Sequence, residues 1–186
     1  MAGPANDRDR LLDLLRERSV MRGDFVLASG AHSTYYIDAR RTTMAGMGQL
    51  LIGAVGLETL DAAGWTPACV GGLTLGADPV SYSIAHAAAR AGRSLDAFTV
   101  RKEAKGHGTG RRIEGVFRQV GEVVVIEDVV TTGDSALRAI QAVEEAGARV
   151  LGALTLVDRE EHGRERIEEA GYPLVALFTT TELLGD

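Results

Sequence analysis

The sequence predicts an α/β protein in which helices flank a mostly parallel sheet. Two observations predict it. Short apolar runs alternate with segments of helical periodicity, and the run Val123–Ile126 is apolar at every position, as in strands that are covered on both faces. Because we find no linker, repeat or low-complexity tract, we expect residues 1–186 to form a single domain.

The amino-terminal part predicts a helix, a hairpin and a second helix. Leucines at helical spacing predict an amphipathic helix over Arg8–Arg18. Residues that favour strands flank the turn Gly30–His32 and predict a hairpin within Phe25–Arg40. The next apolar stripe, over Gln49–Ala63, predicts a helix that ends at Gly64.

The rest of the chain alternates strands and helices. Apolar runs predict strands at Ala68–Val70, Leu95–Val100, Val123–Ile126 and Val150–Val157, with a further strand or arm at Val116–Val120. One helix is expected to begin at Pro79, with Asp78 as its cap, and to end at Gly92. A second helix is predicted over Ala136–Ala146.

Charge and composition argue against several classes of protein. The chain has 20 Lys and Arg against 26 Asp and Glu, a formal net charge of −6, which is the wrong sign for a nucleic-acid-binding domain. The apolar runs are shorter than the roughly 20 residues of a membrane span. The lone Cys69 cannot form an internal disulfide and no signal-like segment opens the chain, so we expect a cytoplasmic protein.

The strongest motif is VVVIEDVVTTGDSA, Val123–Ala136. Open parallel sheets bind ligands at the carboxyl ends of their strands, and hydroxyls around Gly133 suit a phosphate at a helix start. Glu127 and Asp128 would repel a phosphate, so they make sense as ligands of ribose hydroxyls or as groups acting through a cation. An acid pair can be merely solvated and such a turn can simply cap a helix, but their combination after a buried strand favours a ligand site.

A second motif is the basic segment RKEAKGHGTGRR, Arg101–Arg112. Its positive side chains outnumber its single acid, Glu103, so it can capture a small anion. Glycines at 106, 108 and 110 would let it open and close. The alternative is a solvated surface segment.

These motifs resemble those of known enzymes. Val123–Ala136 closely resembles the phosphoribosyl diphosphate (PRPP) motif of type I phosphoribosyltransferases. Arg101–Gly108 is similar to the catalytic loop of orotate phosphoribosyltransferases, and Phe25–Arg40 resembles their substrate hairpin. With GGLTLGADP at Gly71–Pro79 and the pair Asp158–Arg159, the resemblance covers nearly the whole chain in order.

The resemblance implies a fold and an activity. The fold would be that of type I phosphoribosyltransferases, with a hairpin-and-helix hood at about 1–45 and a core at about 46–186. The activity would be transfer of 5-phosphoribosyl from PRPP to orotate, giving orotidine 5′-monophosphate and pyrophosphate in pyrimidine synthesis. Mg²⁺ would arrive on the donor's diphosphate with no direct protein ligand. The enzyme would be a homodimer whose loop closes over the neighbouring subunit's site, with no nucleic-acid or membrane partner.

The resemblance also assigns roles to residues. Contacts to PRPP are expected from Thr74, Leu75, Arg101, Lys102, Lys105, His107, Glu127, Asp128, Val129, Val130, Thr131, Thr132, Gly133, Asp134 and Ser135. Orotate would contact Tyr36, Ile37, Thr131 and Arg159, which suits a planar carboxylated ring that needs a wall and a cation. The catalytic residues would be Lys102, Lys105, His107 and Asp128, with the cations near the departing diphosphate.

The chain departs from the family pattern at two places, and two other functions stay open. Ala28 stands where many members have a lysine, and Thr74–Leu75 replaces a Tyr-Lys pair. Our hypothesis is that Arg111 or Arg112 partly replaces the missing charge. The alternatives are a purine or uracil phosphoribosyltransferase of the same fold, and a PRPP-sensing regulator, which would not need the basic segment.

Overall fold

The computed structural model describes residues 6–26, 30, 32–103 and 112–185. In chain order the elements are α1 (Asp7–Arg18), β1 (Val20–Val26), β2 (His32–Ile37), α2 (Arg40–Thr43), α3 (Gly46–Ala62), β3 (Cys69–Leu73), α4 (Ala77–Arg90), β4 (Asp96–Val100), β5 (Ile113–Gly115), β6 (Glu122–Val130), α5 (Asp134–Glu145), β7 (Arg149–Asp158), α6 (Gly163–Glu169), β8 (Leu174–Thr179) and α7 (Thr180–Leu184).

The central sheet confirms the predicted α/β class. Within the described residues six strands pair in the order β5-β4-β3-β6-β7-β8, and all but the edge strand β5 run parallel. The chain moves outward from β3 to β4, then returns to the other side of β3 with β6. Such a reversal opens a crevice at the carboxyl ends of the two central strands. The antiparallel pair of β1 and β2 forms a separate hairpin.

Helices cover both faces of the sheet, and β6 shows why its sequence is apolar throughout. Val124 and Ile126 belong to the cluster formed with α1, α3 and α4, whereas Val123 and Val125 belong to the cluster formed with α5. Side chains alternate between faces along a strand, so a strand buried on both sides needs an apolar residue at every position.

Two close approaches set the packing around the sheet. A Cβ at Gly53 of α3 would lie 2.5 Å from the Ser83 carbonyl oxygen of α4, so the glycine lets these helices touch. Further along, Arg93 pairs with Asp61 at 2.8 Å, which shows that α3 and α4 run in the same direction. Trp65 packs over Gly152, near the amino ends of β3 and β7.

Several sequence predictions were wrong in detail. Val116–Val120 is not a strand; the edge strand is β5, and Val120 is fully exposed. Asp78 does not cap α4, because the helix already begins at Ala77. The hairpin begins earlier than predicted, at Val20. Elements α6, β8 and α7 had no sequence prediction. None of the described helices has the length and apolar character needed to cross a membrane.

Candidate active site

A cavity of about 300 Å³ lies between the hairpin side of the molecule and the carboxyl ends of β3 and β6. Four parts of the chain form its walls: the end of β2 with the segment after it, the end of β3 with the turn after it, the segment after β4, and the end of β6 with the start of α5. The lining residues are Tyr36, Ile37, Asp38, Ala39, Arg40, Leu73, Thr74, Leu75, Gly76, Lys102, Glu127, Asp128 and Ser135. This is the crevice that the strand order predicts.

A second cavity of about 100 Å³ adjoins the first. It is lined by Glu127 and by the continuous run Val129–Ala136, which includes the predicted phosphate turn. Glu127 and Ser135 line both cavities. A ligand that passes these two side chains can therefore occupy both compartments.

The small cavity is built as an anion cradle. Gly133 has a φ of 78° and forms the N-cap of α5, so the unpaired N–H groups of the first helical turn open into it. A Cβ at Gly163 would lie 2.6 Å from the Thr131 carbonyl oxygen, so only glycine lets α6 approach this turn. Sequence analysis missed Gly163, which lies 30 residues after Gly133 in the chain.

Arg166 of α6 holds the same turn from outside. Its guanidinium donates to the Thr132 carbonyl at 2.6 Å and pairs with Asp134 at 2.8 Å. Hydrogen bonds from Arg166 and Thr132 lower the pKa of Asp134. The Asp134 carboxylate thus pairs with Arg166 and accepts a hydrogen bond from the Thr132 hydroxyl at 2.9 Å. Thr131 and Ser135 are then the hydroxyl residues of the turn that face a phosphate without this competing contact.

The two acids of the motif lie within β6 rather than after it, and they differ in environment. Glu127 is only 7% exposed, and its Oε2 has no hydrogen-bond partner in the described part of the chain. Burial, followed by the neighbouring Asp128, raises the pKa of Glu127 well above 4.5. Glu127 Oε2 is buried and lacks a partner among the described residues, and Glu127 lies where the two cavities join. This oxygen is therefore suited to form a hydrogen bond with a hydroxyl of a ligand.

Asp128 is held close to the turn that follows β3. Its Oδ1 accepts the Val129 N–H at 3.0 Å. A Cβ at Gly76 would overlap the Asp128 carboxylate, so this turn approaches the acid only because position 76 is glycine.

The turn after β3 is fixed by a buried carboxylate. Asp78 accepts hydrogen bonds from the hydroxyls of Thr74 at 2.7 Å and Thr99 at 2.8 Å. The Tyr82 hydroxyl extends this network to Thr99, at 2.7 Å. The Thr74–Leu75 peptide is cis, and Leu75 is 56% exposed at the mouth of the cavity. The hydrogen bond from the Thr74 hydroxyl to Asp78 thus fixes the turn to the start of α4.

The predicted cations are distributed unevenly. Lys102 lines the larger cavity, and its charge acts to lower the pKa of Glu127, against the larger effect of burial. The Arg101 guanidinium lies 3.5 Å from Glu114, and Arg101 is not among the lining residues. Arg112 donates to the Arg101 carbonyl at 3.4 Å and lines a separate cavity near Phe117. Residues that lie outside the described part of the chain are Ala28, Lys105, His107 and Arg111.

The residues expected to bind orotate are also divided. Tyr36 and Ile37 line the larger cavity, and Thr131 lines the smaller one. Arg159 is buried beside them: it pairs with Glu161 at 2.6 Å, and its guanidinium lies 5.3 Å from the centroid of the Tyr35 ring. Arg159 lines neither of the two cavities.

Sequence analysis missed five residues that line the larger cavity: Asp38, Ala39, Arg40, Leu73 and Gly76. The sequence did offer a reason to include Arg40, because it is a cation at the end of the hairpin motif that was expected to bind substrate. Arg40 Nε donates to Asp38 Oδ1 at 3.0 Å.

Curated relatives identify the family. No protein-family model matches the chain. The chain is 45% identical over 181 residues to the orotate phosphoribosyltransferase of Aquifex aeolicus, which covers 96% of this chain and 98% of that protein. It is 46% identical over 177 residues to that of Streptomyces coelicolor, with 95% and 96% covered. The chain belongs to the orotate phosphoribosyltransferase family.

Solved structures of the orotate phosphoribosyltransferase family share the fold. The Mycobacterium tuberculosis orotate phosphoribosyltransferase in complex with PRPP matches with a TM-score of 0.82 at 41% identity, covering 96% of this chain and 99% of that one. The family member from Aeropyrum pernix matches with a TM-score of 0.78 at 36% identity, covering 94% and 96%. The predicted type I phosphoribosyltransferase fold is thereby confirmed.

Proposed function

We propose that the protein transfers the 5-phosphoribosyl group of PRPP to orotate, giving orotidine 5′-monophosphate and pyrophosphate in pyrimidine synthesis. The observation that carries this proposal is the pair of adjoining cavities joined at Glu127 and Ser135. A sugar phosphate fits this arrangement, with its phosphate in the small cradle and its ring beside the two acids. The larger cavity then receives the base and the diphosphate.

The chain's own residues would act in three ways. The α5 N–H groups and the hydroxyls of Thr131 and Ser135 hold the 5′-phosphate, and the Thr132 hydroxyl joins them by turning away from Asp134. Glu127 and Asp128 hold the ribose hydroxyls. Asp128, the more exposed of the two acids, offers negative charge beside a ribose centre that becomes positive as its bond to diphosphate breaks. Cations at Lys102, Lys105 and His107 stabilise the departing diphosphate.

Orotate would lie against Tyr36 and Ile37, with its carboxylate directed to Arg159 and a ring atom to Thr131. Arg159 is already supported by Tyr35 and Glu161. For a carboxylate to bind bidentately, it must share or displace the Glu161 contact.

Mg²⁺ is expected to reach the site on the donor's diphosphate. Among residues 6–26, 30, 32–103 and 112–185, no group of three His, Cys, Asp or Glu side chains can hold a metal ion. Oxygens of Asp38 and Asp128 nevertheless line the cavity, and a hard cation accepts such ligands together with diphosphate oxygens. The metal would neutralise charge on the leaving group.

We also propose a homodimer in which the segment Arg101–Arg112 reaches the neighbouring subunit's site. Five apolar side chains in or just before the amino halves of α3 and α4 are exposed, and Leu75 among them lines the larger cavity: Met44, Met47, Leu50, Leu75 and Tyr82. Because α3 and α4 run in the same direction, their amino ends lie at the cavity side of the sheet. A partner that covers this patch would bring its own loop close to the site. A cytoplasmic location is proposed as well, since Cys69 is buried and unpaired.

The first experiment measures the loss of orotate absorbance with PRPP and Mg²⁺, run beside hypoxanthine, guanine, adenine and uracil. Turnover confined to orotate supports the proposal. Turnover of a purine or of uracil would replace it with the corresponding transferase. PRPP binding without turnover of any base would favour the regulator.

The shared site is tested with hybrid dimers. Lys105→Ala and Asp128→Ala should each lower activity severely, because one removes charge from the loop and the other removes a ribose ligand. Mixing the two should restore part of the activity if the loop acts on its neighbour, since each hybrid then contains one intact site. The unmixed variants are the controls, and no recovery in proven hybrids would place each site within one chain.

A further inference from the structure

The larger cavity has an acidic floor that a donor diphosphate would have to tolerate. Three acids line it, Asp38, Glu127 and Asp128, against two cations, Arg40 and Lys102. The turn Thr74–Gly76, which forms one wall, contributes no cation. Binding a polyanion here requires positive charge from a neighbouring element.

Arg40 is presented by a rigid support. It begins the short helix α2, and Thr42 of that helix is fully buried. The hydroxyls of Ser19 and Thr42 share a hydrogen bond of 2.8 Å, and a Cβ at Gly48 would overlap the Thr42 carbonyl oxygen. The backbone of α2 is therefore clamped between the start of the hairpin and α3.

The Arg40 side chain is oriented as well as anchored. Asp38 donates its N–H to the Ser19 carbonyl at 2.9 Å and accepts Arg40 Nε at 3.0 Å. That contact uses the inner edge of the guanidinium, and neither terminal nitrogen hydrogen-bonds to a described residue. The hydrogen bond and charge of Asp38 raise the pKa of Arg40, and Asp128 adds a smaller effect, so the guanidinium lies within electrostatic reach of the ribose-binding acid.

The other arginines near the larger cavity contact other groups or face another cavity. Arg112 faces a different cavity, Arg101 pairs with Glu114, and Arg159 pairs with Glu161. Arg41, the next residue of α2, is exposed and does not line the cavity. The hypothesis that Arg111 or Arg112 replaces the missing charge stays a prediction, since Arg111 lies outside the described residues, whereas Arg40 lines the cavity itself.

We propose that Arg40 binds the diphosphate of PRPP through the terminal nitrogens of its guanidinium, and that it supplies charge missing from the turn Thr74–Leu75. The inference rests on the proposed function and adds a donor contact to it. The contact would come from the hood side of the site, independent of the basic loop.

The test compares Arg40→Ala with the matched control Arg41→Ala, which removes the same charge one residue away. Pyrophosphate binding to the full-length protein is measured by calorimetry, and KM values are measured for PRPP and orotate. Losing a charge-assisted hydrogen bond costs roughly tenfold to hundredfold in affinity. We expect that loss for pyrophosphate, a similar rise in the PRPP KM, and an orotate KM within about twofold of wild type. Arg40→Lys should recover part of the affinity, because the charge returns without the bidentate geometry.

The outcomes separate the inference from the function on which it rests. Equal losses in the Arg40 and Arg41 variants would overturn the inference in favour of a general surface-charge effect. A raised orotate KM with unchanged pyrophosphate binding would overturn it by assigning Arg40 to the acceptor's carboxylate. If wild type does not turn over orotate, the proposed function fails, while the pyrophosphate arm still decides whether Arg40 binds diphosphate. Circular dichroism checks that each variant is folded, and Arg40→Lys carries the test if Arg40→Ala is not.

Discussion

Glu127 and Asp128 are neighbours in sequence, yet the fold gives them different properties. They point to opposite sides of β6, as successive strand residues do. Glu127 is buried with an orphaned oxygen, whereas Asp128 is partly exposed and accepts the Val129 N–H. The sequence shows that two acids are present, but tertiary packing decides which of the two carboxyl groups is buried from solvent.

The substitution Glu127→Gln should change how the free energy of unfolding depends on pH, because it replaces a buried ionisable group by a neutral one. The pKa of Glu127 is raised above 4.5 in the folded protein, so the folded state holds the proton more tightly than the unfolded state. Its contribution to stability is therefore present at low pH and is lost as pH rises through the folded pKa. The unfolding free energy of the variant should be higher than that of wild type at about pH 8. The difference between the two proteins should be smaller at about pH 5. Urea titrations followed by circular dichroism measure it, and a gap independent of pH would contradict the prediction.

Gly76→Ala should damage the site more than the fold. The added Cβ would overlap the Asp128 carboxylate, and moving that group should weaken PRPP binding by about tenfold or more. Gly46→Ala is the matched control, because nothing lies within 4 Å of a Cβ there. Calorimetry with PRPP checks both variants. Equal affinities in the two would show that the close approach of the turn to Asp128 does not matter.

At the scale of elements, long strands and helices were predictable and short ones were not. Val123–Ile126 predicted a buried strand because it is apolar throughout, but β6 continues through the acids to Val130. Helices α6 and α7 have seven and five residues, too few for a clear amphipathic repeat. Asp78 before Pro79 was a reasonable cap from sequence, and only the distant hydroxyl of Thr99 shows its other role.

Asp78→Ala should loosen the turn after β3. It leaves the hydroxyls of Thr74 and Thr99 without their acceptor, which should cost roughly 1–3 kcal/mol of unfolding free energy and raise the PRPP KM. Ser81→Ala is the comparison, since its buried hydroxyl only donates to the Ala77 carbonyl within the helix. Urea denaturation and PRPP kinetics measure the two effects. A loss for Asp78→Ala no larger than that for Ser81→Ala would argue against the turn network.

At the scale of the whole molecule, the sheet and its ligand edge could be predicted, but the surface proposed for dimer contact could not. Strand and helix periodicity placed the motifs at one end of the sheet. Met47 and Leu50 are exposed on α3 and Tyr82 is exposed on α4, and these two helices are brought side by side only in the folded protein. Positions 47 and 50 are too far from position 82 in the sequence for their proximity in space to be predicted.

Leu50→Glu should convert the proposed dimer into monomers. Leu50 is 57% exposed, and a charge at the centre of an apolar interface would be left without water. Val120→Glu, at a fully exposed site distant from the patch, is the control and should remain dimeric. Sedimentation velocity measures both, with activity expected to fall in the first variant only. A dimeric Leu50→Glu protein would mean that the subunits meet elsewhere.

Trp65 is the only tryptophan of the chain, and it packs over Gly152 at the end of the sheet opposite the cavities. Its fluorescence should therefore report the loss of packing between the segment after α3 and β7, and should remain nearly constant when a ligand enters the site. Unfolding curves of the variants can then be recorded by emission in saturating PRPP or pyrophosphate. The shift of each midpoint would measure ligand stabilisation directly, because binding itself adds little optical signal.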